Sequence, residues 1–180
     1  FVGATLWEIR EGYFDRALVR PASPLVTLSA SWPGVNDIAS IFVGLAILSY
    51  GLANSNAHIT ISGAFAFALL FMLGVLFIYS LSVITVAIGF IAIKSESLYR
   101  FVERLYKFAD YPISIFGSMG IAFFTFVFPI GLASFYPAQA LLGVLELKSV
   151  AALVVVSLAF FGISLLAWNA GMKKYQSAGG

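Results

Sequence analysis

The sequence predicts an all-α membrane protein: a polytopic bundle of four transmembrane helices, with a short polar helix at its start and a proline-broken segment in its second half. Three observations carry this. Hydrophobic residues make up 61% of the 180 and charged residues only 10%, with a mean hydropathy of +1.00. Soluble domains hold about 45–50% apolar and about 25% charged residues, and a soluble core of this size cannot hide so much apolar surface. Uncharged runs long enough to cross about 30 Å of hydrocarbon recur along the chain. The charges gather in a few short stretches between those runs.

The first of these stretches is residues 8–21, EIREGYFDRALVRP, with six charged residues in fourteen. A helix over about 6–20 places Ile9, Tyr13, Phe14 and Ala17 near one face and Glu8, Glu11, Asp15 and Arg16 on others. Pro21 and Pro24 stop it. Lipid headgroups favour uniformly basic faces; mixed charges suit a protein partner, where opposite charges set register. A solvated surface helix between spans is the alternative.

The apolar run 35–52 follows, with Asp37 at its edge. Residues 59–93 then carry no charge. As a helix this run is roughly 50 Å long, so it must tilt, kink or protrude; Gly74 and the Ser80/Ser82 pair are candidate bends. In 96–110, Leu98, Phe101, Val102, Leu105, Phe108 and Ala109 fall at helical spacing, with Arg100, Glu103, Arg104 and Lys107 between them, which is the pattern of an amphipathic helix. A third span is expected within 98–131, and hydropathy places it at about 113–131. Residues 128–143, FPIGLASFYPAQALLG, are interrupted by Pro129 and Pro137. Broken backbone at membrane depth needs protein around it, so this is read as a re-entrant outer hairpin or as a kinked span with an interfacial loop. A fourth span at 149–168 and a tail at 169–180 complete the chain. With the start cytoplasmic, nine of the ten Lys and Arg residues fall inside and only Lys148 outside, as the positive-inside rule requires.

Absences narrow the chemistry. There is no cysteine, hence no disulfide, thiolate metal site or cysteine nucleophile. A net charge of +2 without a basic stripe speaks against nucleic acid. The chain opens on Phe1 with no basic n-region before a short apolar run, so no signal peptide is expected and a fragment or processed form is. The one histidine, His58, is a loop residue. No HExxH, GxSxG or phosphate-loop motif occurs. The second and fourth runs hold no acidic or basic side chain, so a proton relay lacks its usual parts. Asp37 and Asp110 sit at span edges. Glu96, Glu103 and Asp110 are the only acids for intramembrane catalysis, and Glu96/Arg100 and Glu103/Lys107 stand at the i,i+4 spacing of self-paired surface charges.

The segment IREGYFDRALVRPASPL, with Ile9, Gly12, Asp15, Leu18, Arg20 and Pro21 in the order I-x-x-G-x-x-D-x-x-L-x-R-P, resembles the cytoplasmic coupling segment of type 2 ATP-binding cassette (ABC) permeases. The branch is that of the ABC-2 family transporter proteins. Residues 111–143 are similar to that branch's Y-P-x-x-I-F segment with its later proline and Tyr-Pro-Ala, and WNAGMKKYQSAGG is similar to its C-termini. The resemblance implies six spans, of which the last four lie here. It implies a bacterial inner-membrane exporter subunit with both ends of this stretch cytoplasmic, and no enzyme activity of its own. A separate ABC ATPase subunit would bind ATP and Mg, leaving this chain without a cofactor. That subunit would touch Glu8, Ile9, Arg10, Gly12, Tyr13, Phe14, Asp15, Arg16, Leu18, Arg20 and Pro21. A second permease subunit, identical or a sister, would complete a dimer in the membrane lipid. Pro129, Phe135, Tyr136 and Pro137 would lie near an outer gate, and the third span would begin within 96–116. Motion would then pass from the coupling helix through PASPLVTLSASWPG to the span starting near Val35. The alternatives are a non-transport scaffold docking another cytoplasmic partner, and an intramembrane enzyme. The 18 phenylalanines, dense at 116–135, either line a path for a lipid-like substrate or face lipid.

Overall fold

A computed structural model describes residues 2–30, 35–55, 59–91, 95–111 and 113–175. His58, residues 31–34, Pro112 and residues 176–180 lie outside that description, as do the side chains of Asp37, Glu96, Leu98 and Ala109. The described residues form helices and turns, with no strand among them.

The opening helix expected over 6–20 is two helices, α1 (Val2–Arg10) and α2 (Asp15–Leu18), followed by α3 (Pro24–Ala30). The break is at Gly12, whose φ of 76° lies in the left-handed region that a glycine enters without a Cβ penalty. The turn reverses the faces: Phe14 is 0% exposed while Tyr13 is 41% exposed. The single apolar face of the sequence reading is thereby corrected.

α4 (Val35–Ala53) is apolar, and none of its described side chains is buried. α5 (Ile61–Gly89) and α9 (Leu147–Met172) are long and apolar enough to cross a membrane. Thr60 starts α5, its hydroxyl accepting from the Gly63 amide at 3.1 Å, which satisfies one of the orphan donors of a helix start. α5 runs unbroken through the expected bend sites. The Ser80 and Ser82 hydroxyls donate to the Leu76 and Ile78 carbonyls at 2.7 and 2.9 Å, so neither polar group leaves the helix surface.

α5 and α9 pack side by side and run parallel. The Ser157 hydroxyl donates to the Leu73 carbonyl at 2.9 Å. Fourteen residues on, a Cβ at Gly171 would lie 2.6 Å from the Ala87 carbonyl oxygen. Only residues this small let two backbones come so close. Parallel neighbours require the chain between them to return along the whole length of α5.

That return is made by residues 95–141, and where a span was expected within 98–131 the chain is broken into short helices and turns. α6 (Ser95–Tyr106) passes through 3₁₀ turns at Lys107–Asp110 and Ile113–Phe116 into α7 (Gly117–Ala122), a π turn at Phe123–Val127, a 3₁₀ turn at Ile130–Leu132 and α8 (Phe135–Leu141). Prolines set the breaks. Tyr111, before Pro112, is extended at φ −114° and ψ 142°, where the ring of a following proline drives its neighbour. Pro129 has no amide to donate. On α6, Val102 is buried but Phe101 is exposed, so the inward face is narrower than the spacing suggested.

The return climbs α5 in order. The Tyr106 hydroxyl donates to the Ile78 carbonyl at 3.2 Å. The Phe128 ring meets Phe77 edge-on at 5.8 Å. The Leu132 carbonyl lies over Gly74, where a Cβ would be 2.2 Å away, and the Ala140 carbonyl oxygen lies 3.0 Å from where a Cβ at Gly63 would be. One core joins Leu70, Phe77, Ile113, Phe124, Leu132 and Leu153. A second, at the Gly89 end, joins Phe14, Leu28, Val86, Phe90 and Trp168.

Candidate functional site

The opening segment is seated on the Gly89 and Met172 ends of α5 and α9. Its anchor is Phe14. The ring stands edge-on to Phe90 at 5.0 Å, Tyr175 at 4.9 Å and Trp168 at 6.5 Å. Edge-to-face pairs add about 0.5–1.5 kcal/mol each beyond the burial of apolar area. Beside it, the Tyr175 hydroxyl donates to the Asp15 carboxylate at 3.0 Å. Partial burial, and then the hydrogen bond to and charge of Asp15, push the Tyr175 phenol up to about 12, so it stays a donor at any physiological pH. α3 adds Leu28, 2% exposed, and Ser29, whose hydroxyl meets that of Tyr79 at 3.0 Å.

The outward side of the segment is polar. Arg10 and Glu11 pair at 3.4 Å with both side chains about half exposed. Arg16 lies 4.7 Å over the Tyr13 ring, and Tyr13 leans on Trp7 at 5.2 Å. Leu18, Arg20 and Pro21 are exposed, while Glu8 and Ile9 are half-buried. Trp7, Glu8, Tyr13, Arg16, Arg20 and Leu28 frame a groove of about 390 Å³. Eleven residues were expected at a partner contact, and they divide here. Glu8, Arg10, Tyr13, Arg16, Leu18, Arg20 and Pro21 offer surface. Gly12 makes the turn and Ile9 packs against the Gly89-end core. Phe14 is corrected to an internal anchor, because a ring with no exposed surface cannot touch another subunit, and the Asp15 carboxylate is engaged by Tyr175.

The proline-broken segment sits near the other half of the bundle. Pro129, Tyr136 and Pro137 are buried and Phe135 is half-buried. The Tyr136 hydroxyl pairs with that of Thr125, and Thr125 also bonds the Ile121 carbonyl. A threonine has one proton to give; given to Ile121, it leaves Tyr136 as the donor of the pair. Gly131 lets the Tyr136 ring approach, since a Cβ there would lie 2.7 Å from it. Between α4, α5 and α8 lies an apolar cleft of about 520 Å³, with Leu48, Leu52, Phe67, Phe71 and Pro137 among its walls.

The residues that sequence reasoning passed over are Trp7, Phe90, Trp168 and Tyr175. Trp168 and Tyr175 carried a signal: two aromatics seven apart, the spacing of one helix face. The tail leaves the helix after Met172 but turns tightly, with the Tyr175 amide on the Met172 carbonyl at 3.3 Å, so the face is kept.

Fold and site together define a helical membrane protein that carries a polar segment locked onto the end of its central helix pair. Residues 4–179 match the family described as ABC-2 family transporter protein, and the chain belongs to that family: it is a membrane component of ABC transport. No curated protein and no solved structure matches it.

Proposed function

We propose that the chain is the permease subunit of an ABC exporter of the bacterial inner membrane, driven by a separate ATPase subunit that docks on residues 7–21. The observation that carries this reading is the division of the opening segment into a buried aromatic anchor and an exposed mixed-charge rim. A mere surface helix needs no such anchor, and a lever needs both. Four crossings with both ends cytoplasmic agree with the parallel α5 and α9 and with nine of ten basic residues on the docking side. The segment 128–143 acts as a re-entrant outer cap, its broken backbone shielded by α5 as membrane depth demands, with Pro129, Phe135, Tyr136 and Pro137 at the gate. A second permease subunit, like or sister, closes the pathway, and ATP and Mg are held by the ATPase.

The test is co-purification. The full-length protein, tagged and expressed with its neighbouring genes, is expected to bring down an ATP-hydrolysing subunit. Arg16→Glu with Arg20→Glu, at exposed positions outside the Phe14 anchor, is expected to cut the recovered ATPase at least tenfold while the permease still folds. An undiminished ATPase in that variant removes the docking surface from residues 7–21, and no ATPase with either form removes the transporter reading.

A further inference from the structure

Two routes lead from the opening segment into the membrane. One is covalent, through residues 22–34 into α4. The other is by packing, through Phe14, Leu28 and Tyr175 onto α5 and α9. The two differ in stiffness. Close-packed interiors have few voids and transmit displacement, and Phe14, Leu28, Val83 and Val86 are each no more than 2% exposed. The packed route also has two polar ties, from Tyr175 to Asp15 at 3.0 Å and between Ser29 and Tyr79 at 3.0 Å. α4 has no buried side chain among those described, and a Cβ at Gly44 or Gly51 would meet nothing within 4 Å. It touches the rest of the bundle along one wall of the apolar cleft.

We infer that Phe14 and Tyr175 are positioning residues that make the docking segment, α5 and α9 a single rigid body, so that ATPase motion is delivered to this helix pair while α4 hinges beside it. The inference rests on the docking reading above and deepens it, replacing the covalent lever by a packed one. It places the C-terminal tail in the coupling path. Tyr175 holds Phe14 from one side and Asp15 from the other, and so closes the aromatic cage made by Phe90 and Trp168. The sequence neighbours of the docking segment are then not its mechanical neighbours. The helices it drives most directly are α5, through Val83, Val86 and Phe90, and α9, through Trp168.

The experiment measures distances in the reconstituted complex with its ATPase. The chain has no cysteine, so spin labels can be placed in it by substitution alone. One pair is Glu11→Cys with Leu166→Cys, and the other is Glu11→Cys with Ile41→Cys; Glu11, Leu166 and Ile41 are all exposed. Between the nucleotide-free state and a non-hydrolysable ATP analogue, the first distance is expected to stay fixed and the second to shift by several ångströms. A shift in the first, or no shift in either while the complex hydrolyses ATP, overturns the inference and leaves the docking reading standing. Failure to recover an ATPase at all overturns both. Phe14→Ala is expected to keep the ATPase bound at the wild-type ratio but to broaden the Glu11–Leu166 distribution at least twofold, and Phe14→Leu, which refills the cage, to narrow it again. Tyr175→Phe, a milder change, is expected to broaden it less while binding is unchanged. Distributions as narrow as wild type in both Phe14→Ala and Tyr175→Phe overturn the assignment.

Discussion

At the scale of single residues, glycines decide how near the backbones come. Gly74 and Gly171 sit where a Cβ would lie 2.2 Å from the Leu132 carbonyl oxygen and 2.6 Å from that of Ala87. Both obstacles are backbone and cannot swing aside. Gly44 and Gly162 have nothing within 4 Å. The two pairs should therefore respond to alanine with opposite sign. Gly74→Ala and Gly171→Ala are expected to destabilise the isolated chain by about 1–3 kcal/mol, the usual cost of overpacking. Gly44→Ala and Gly162→Ala are expected to be neutral or to stabilise by about 0.5–1 kcal/mol, since a glycine inside a helix costs about that much relative to alanine. Thermal unfolding in detergent would show it, and equal shifts for all four would refute the contacts described. The sequence marks all four as small residues in apolar runs and goes no further, because the atom a glycine makes room for lies far away along the chain. Phe14 makes the same point from the other side. Its place in a charged stretch suggested a partner contact, whereas its neighbours Phe90, Trp168 and Tyr175 come from distant residues.

At the scale of elements, residues 95–141 hold the lesson about what local pattern can carry. The prolines were legible as breaks, and the charged half of α6 was legible as amphipathic. The path was not, because 3₁₀ turns, a π turn and two short helices leave no period long enough to read. What fixes the path is a set of long-range contacts, the pairing of Tyr136 with Thr125 among them. The donor order there yields a prediction. In Tyr136→Phe, Thr125 still bonds the Ile121 carbonyl, so only one hydrogen bond is lost, at about 0.5–1.5 kcal/mol. In Thr125→Val, the Tyr136 hydroxyl is left buried with no acceptor, at about 1–3 kcal/mol. The change at Thr125 should thus cost more than the change at Tyr136, although it alters a smaller side chain. Denaturation in detergent orders the two, and the reverse order would mean that the proton runs the other way.

At the scale of the whole molecule, the parallel run of α5 and α9 is the strongest constraint on how the chain threads a bilayer. Helix periodicity says nothing of which helices become neighbours, so this pairing was invisible in the sequence, while the expected orientation rests on the position of ten basic residues. The two kinds of information combine. α9 has 26 residues, about 39 Å at 1.5 Å per residue, which exceeds the roughly 30 Å of hydrocarbon. On the four-crossing reading proposed above, its Leu147 and Met172 ends face opposite sides of the membrane. Because α5 runs parallel to it, Gly89 and Met172 share a side, and Phe14 ties the opening segment to that side as well. In the orientation proposed above from the positive-inside rule, that side is the cytoplasm. In the full-length protein in intact cells, a membrane-impermeant thiol reagent should label Val144→Cys and spare Glu11→Cys and Lys173→Cys, and permeabilised cells should label all three. Val144 is exposed in the turn before α9, and Glu11 and Lys173 are not buried, so access alone does not separate them. Labelling of Lys173→Cys together with Val144→Cys in intact cells would mean that α9 does not cross. Labelling of Glu11→Cys without Lys173→Cys would break the aromatic anchor on which the docking segment stands.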